Sequence, residues 1–101
     1  MKIMMSWTAK PGTLREAVGR FLAGQANPPA GVTLVGRWHS VDVNTGFSLY
    51  ESNDPAALYQ TAAVWADLLD VRNYLVVEDD QAGPILARTF AAQQTPEPVA
   101  V

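Results

Sequence analysis

Apolar positions change spacing several times along the chain, and each change marks an element. Residues 1–7 are mostly apolar and run into the turn formers Pro11-Gly12, which predicts a strand. In "TLREAVGRFLAG", Leu14, Ala17, Val18, Phe21 and Leu22 recur at i, i+3, i+4, i+7 and i+8, one face of a helix. Thr13 and Glu16 have the form of a capping box, and Gly24 is a natural stop. "QANPPAG" is a loop, because Pro28-Pro29 cannot continue a helix. Residues 32–43 predict a second strand, broken in hydrophobicity by Arg37-Trp38-His39; "NTG" is its turn and 47–52 the third strand. Asn53 or Asp54 caps a second helix with Pro55 in its first turn. Leu58, Thr61, Ala62, Trp65, Leu68 and Leu69 form its buried face, while Tyr59, Ala63, Val64 and Ala66 make the other face apolar too. "VRNYLVVE" is a fourth strand, "GPILARTFAAQQ" a short helix, and "TPEPVAV" a frayed tail.

The order β-α-β-β-α-β is the ferredoxin-like arrangement, an α+β fold with a four-stranded antiparallel sheet and two helices on one face. The expected domain is residues 1–80, with 81–101 a C-terminal extension of short helix and flexible tail. A sheet with one wet face should alternate apolar and polar residues. These strands do not: Ile3, Met5 and Trp7 oppose Met4, and Tyr74 and Val76 oppose Leu75 and Val77. Two helices cover one face only. A second copy of the sheet is the economical cover for the other, so a homodimer is expected.

Composition narrows the function classes. The chain has 101 residues, 49% apolar and 17% charged, which suits one packed domain. A net charge of −3 without a basic stripe argues against nucleic acid as a partner. There is no cysteine, hence no disulfide framework or thiol chemistry. The apolar run at the start is too short for a signal-peptide core or a membrane span. The expectation is a cytoplasmic protein with no membrane partner.

Two stretches, "GRWHSVDVNTGFSLYESND" and "VWADLLDVRNYLVVED", carry Gly36, Trp38, His39, Gly46, Glu51, Trp65, Asp67 and Leu68. Over residues 1–80 this pattern resembles a family of small, largely bacterial proteins of unknown function, itself similar to the dimeric α/β-barrel superfamily. The resemblance implies a ferredoxin-like subunit and a barrel made by two facing sheets. It implies no single reaction, since that superfamily spans cofactor-independent monooxygenases, haem-degrading enzymes, lactone isomerases and members without known activity.

His39, the only histidine, poses the main chemical question. Hairpin register decides its partner. A three-residue loop, Asn44-Thr45-Gly46, with Gly46 left-handed, sets Val43 against Phe47, Val41 against Leu49 and His39 against Glu51. A two-residue loop, Asn44-Thr45, sets Val41 against Ser48 and His39 against Tyr50. The first gives better-matched pairs and is preferred. It puts Arg37, His39 and Glu51 at the end of one apolar face, and Trp38, Ser40, Ser48 and Tyr50 on the other. On the first face a neutral His39 can act as a base oriented by Glu51; on the second an aromatic and hydroxyl wall can stack a planar ligand. The plain alternatives are structural: a cross-strand pair, Trp38 and Trp65 as core anchors, Asp67 solvated, and Arg37 offsetting Glu51 or a residue across the dimer.

Other chemistries drop out. There is no glycine-rich phosphate loop, and one histidine without cysteine is a poor zinc site. A Ser-His-Asp triad fails because Ser40 and His39 are adjacent on one strand and face opposite ways. No metal or cofactor is expected. The reading is a small homodimer that binds an apolar or aromatic molecule between sheet and helices. His39 and Glu51 are its candidate catalytic pair; Arg37, Trp38, Tyr50 and Trp65 are its candidate ligand contacts. The alternatives are a cofactor-independent monooxygenase or isomerase with His39 as base, and a non-catalytic module docking a protein partner through residues 81–101.

Overall fold

A computed structural model describes residues 1–94. Its elements are β1 (Lys2–Ala9), α1 (Leu14–Leu22), β2 (Val32–His39), β3 (Thr45–Ser52), α2 (Pro55–Trp65), β4 (Leu69–Val76) and α3 (Asp79–Gln94). The sheet runs β2-β3-β1-β4, with every neighbouring pair antiparallel. β3 thus lies between β1 and β2, and β1 between β3 and β4, which is the expected ferredoxin-like split of two βαβ units.

Local chemistry explains the element ends. The Asp54 carboxylate accepts the N–H groups of Ala56 and Ala57 at 3.0 and 3.3 Å, and Pro55 occupies the first helical position of α2. Gly24, at φ +83°, ends α1 as expected. The Thr13 capping box does not form: its hydroxyl donates instead toward the carbonyls of Lys10 and Leu68, tying the start of α1 to the α2–β4 turn. Leu68 and Leu69 belong to that turn and to β4, not to α2, yet both are buried. Tyr59, Ala63, Val64 and Ala66 remain exposed, so nothing among the described residues covers that side of α2. The last helix is longer than the sequence suggested, because Asp79 and Asp80 stand in its first turn, where acidic residues are favoured. The tail expected at 95–101 lies outside the described residues.

The core between sheet and helices is divided. Ile3, Met5, Val32, Tyr50, Ala57 and Leu58 form one cluster. Ala9, Ala17, Trp65, Leu68 and Leu69 form another. On the apolar stripe of α1 only Ala17 is buried; Val18 and Phe21 stay partly exposed over the gap between the clusters. A methyl group is too short to fill that gap, and a cavity results.

The opposite sheet face is open. Trp38, Phe47 and Tyr74 are 56%, 43% and 52% exposed there, beside Met4 and Leu49. Ile85, Leu86 and Phe90 on α3 are half-exposed as well.

Candidate functional site

The β2–β3 hairpin closes in neither expected register. His39 pairs with Gly46, Trp38 with Phe47 and Arg37 with Ser48, and residues 41–44 form the loop. Side chains build this turn. The Ser40 hydroxyl meets the Asp42 carboxylate and accepts the Thr45 N–H at 3.1 Å, and Asp42 accepts the Asn44 N–H at 3.3 Å. These contacts hold the Asp42 carboxyl below the usual carboxylate range, the Ser40 hydroxyl contributing most. Gly46 is not left-handed; the positive φ, 75°, falls on Val43.

A second irregularity sets the faces. The β2 register shifts between Leu34 and Gly36. Leu34 pairs with Tyr50, and beyond the shift Arg37 and His39 share its face, toward the helices. Trp38 is sent to the open face. The expected grouping is therefore redrawn: Arg37 and His39 stand with Ser48 and Tyr50, while Trp38 stands with Phe47.

His39 and Glu51 do not meet. Glu51 pairs in register with Lys2 and Thr33 at the other end of β3, with Lys2 Nζ 4.0 Å from its Oε1. The Lys2 ammonium is held above its usual range first by its hydrogen bond to Glu78 and only secondarily by Glu51. His39 has aromatic neighbours instead, edge-on to Trp7 at 5.8 Å and to Phe21 at 5.3 Å between ring centroids. Asp67 is not merely solvated. It forms a two-point pair with Arg20, at 2.6 and 3.1 Å, which lowers its carboxyl pKa and joins α1 to the end of α2.

The cavity, about 320 Å³, lies between the two core clusters. Met5, Trp7, Ser48, Tyr50, Arg37 and His39 line it from the sheet. Leu14, Ala17, Val18 and Phe21 of α1, and Gln60, Thr61, Val64 and Trp65 of α2, line it from the helices. Of the candidates, Arg37, His39, Tyr50 and Trp65 converge here; Glu51 and Trp38 do not. Sequence reasoning missed Trp7 and Phe21 as pocket residues; Ser48 was expected on a candidate wall with Tyr50 and does line the cavity. The signals were present, since Trp7 alternates with Ile3 and Met5 on β1 and Phe21 closes the α1 stripe.

Arg37 is the charged group on this wall. Its Nη2 donates to the Ala26 carbonyl at 2.8 Å and its Nε to Ser48 Oγ at 3.3 Å. Its guanidinium lies 5.6 Å from the Phe21 ring centre. Among the described residues no Asp or Glu lines the cavity. Among the described residues no cluster of His, Asp and Glu could hold a metal, and no helix is long and apolar enough to cross a membrane.

Such a site is suited to enclosing a planar molecule between aromatic edges and donating hydrogen bonds to its oxygens. In comparisons with known proteins, no curated protein matches the chain. The chain is similar to the crystal structure of a Deinococcus radiodurans protein described by name as an antibiotic biosynthesis monooxygenase, at 13% identity and a TM-score of 0.47, over 77% of this chain and 94% of that one. A family model matches residues 1–90, and the chain therefore belongs to the family described as a domain of unknown function, DUF3303.

Proposed function

We propose that the protein binds a small, partly aromatic or apolar molecule in the cavity between sheet and helices. The observation that carries this reading is the divided core. Fully burying a Phe or Val side chain stabilises a fold by ~1.5–3 kcal/mol, so Phe21 and Val18 left half-exposed around a gap forgo stability that a bound ligand would restore. The volume fits a modest ligand, because a cavity of about 150 Å³ already accepts benzene. Trp7, Phe21 and Trp65 supply its aromatic walls.

In an enzymatic version of this reading His39 is the base and the chemistry is cofactor-independent oxygenation or isomerisation. Glu51 has no part in it, because it lies at the opposite end of its strand. The open sheet face carries Trp38, Phe47 and Tyr74, and its proposed occupant is a second copy of the same face. The exposed Ile85, Leu86 and Phe90 favour a second reading, in which α3 docks a protein partner and the pocket is incidental.

Native mass spectrometry of protein purified from its own host tests the choice. A bound small-molecule mass, lost when Trp65→Ala opens the pocket, supports the ligand reading. A ligand-free dimer whose His39 imidazole resonance ignores a panel of aromatic compounds overturns it.

A further inference from the structure

We propose that the ligand of this pocket is an acid: a planar, mainly apolar molecule whose carboxylate is received by Arg37 and hydrogen-bonded by Tyr50. This rests on the pocket reading above and deepens it. The first observation is a charge without a counter-charge. The β2 shift turns Arg37 inward, where it is half-buried among aromatic side chains. A guanidinium brings five N–H donors and no acceptor. Here its partners are one carbonyl and one hydroxyl, and among the described residues no carboxylate lies within ion-pair distance. The sequence holds ten Asp and Glu against seven Lys and Arg, yet among the described residues no acidic side chain lines the cavity. A cation held against an apolar wall calls for an anion.

The second observation is independent. Tyr50 is 2% exposed, lines the cavity, and its hydroxyl has no hydrogen-bond partner among the described residues. Among the described residues no fully buried side-chain polar atom is left without a partner, so this hydroxyl is open to the cavity, where its proton is available to a ligand oxygen. Ser48, fully buried on the same face and opposite Arg37, accepts from Arg37 Nε and so helps to position the guanidinium. Arg37, held by Ser48, and Tyr50 therefore present donors on one patch of the sheet. A carboxylate, an acceptor at both oxygens, matches them. A cavity about twice the volume that accepts benzene leaves room for two fused rings behind that headgroup.

Isothermal titration of the full-length protein with naphthoate, with its neutral isostere naphthamide, and with the cationic naphthylmethylamine tests the assignment. Naphthoate should bind at least ~10-fold tighter than naphthamide, as hydrogen bonds to a charged group require, and the amine weakest. Arg37→Gln should erase the preference, so that acid and amide bind alike, whereas Arg37→Lys should keep part of it. Tyr50→Phe should weaken naphthoate several-fold. Should Arg37→Gln fail to fold, the acid–amide comparison in the unaltered protein decides. Equal binding of acid and amide, or a preference that survives Arg37→Gln, overturns the acid assignment and leaves the pocket standing. Failure of all three probes to bind overturns both.

Discussion

The indole of Trp7 lies against the backbone of Gly46, so closely that a Cβ at position 46 would stand 2.0 Å from Trp7 Cζ2. The two residues face each other across β1 and β3, and the His39 ring abuts the same indole. Gly46 is glycine because a ring occupies the place of its side chain, not because of its backbone angles. Gly46→Ala should displace Trp7 and destabilise the fold by ~1–3 kcal/mol, the usual range for overpacking. Trp7→Leu in the same chain should recover part of that loss. Denaturant midpoints for both single variants and the double variant give the coupling; simple additivity would mean that the two side chains do not compete for this space.

Val43 carries the opposite strain. It is a β-branched residue at φ 75°, in a region that such residues rarely adopt. Val43→Gly should raise stability by about 1 kcal/mol, less what the glycine adds to unfolded-chain entropy. Thermal unfolding checks the sign, and a clear fall in Tm would show that Val43 contributes more by lining the cavity than it loses in backbone strain.

Asp67 should give a pH signature. Its hydrogen bonds to Arg20 lower its folded pKa, so the pair is fully stabilising above the unfolded carboxylate's range and is lost as pH falls through the lower folded value. Asp67→Asn should therefore reduce Tm slightly at neutral pH and converge with the parent at strongly acidic pH. The effect is small, because both groups face solvent. A constant difference in Tm across the acid range would place the cost elsewhere than in the ion pair.

His39→Gln should leave the fold intact. The ring is exposed and its contacts are two edge-on aromatic neighbours, worth ~0.5–1.5 kcal/mol each at most. If His39 serves the ligand, binding of an aromatic acid should weaken while the circular dichroism spectrum and Tm barely move. Unchanged binding would make the histidine a plain edge of the pocket wall.

Pairing of the open sheet faces should be sensitive to charge at their centre. Phe47→Lys, beside Trp38 on that face, should convert a dimer to a monomer in sedimentation velocity at micromolar concentration, consistent with an apolar interface of ~2,000 Å² or more in total. A parent chain that already sediments as a monomer would remove the second copy from the proposal.

Periodicity in the sequence alone determined the order of elements and their faces wherever one rule acted over a whole segment. The α1 helix, the Asp54–Pro55 helix start, the Gly24 stop and the inward row Ile3, Met5, Trp7 are local patterns, and the structure keeps them, although of the α1 stripe only Ala17 is buried. The apolar open face was legible for the same reason, since alternation fails on both sides of the strand. Only the tertiary structure decided which residues meet at the pocket. One residue of register turns every side chain of a strand over. In β2 the register depends on a shift beside Gly36 and on a loop capped by Ser40 and Asp42, both selected by packing against β3 and by side-chain hydrogen bonds rather than by composition. "NTG" reads as a turn because glycine commonly supplies positive φ; here glycine was needed to admit the Trp7 ring, a demand made by a strand nearly forty residues away. The same two irregularities separated His39 from Glu51, sent Trp38 outward, and brought Arg37, Ser48 and Tyr50 onto one wall.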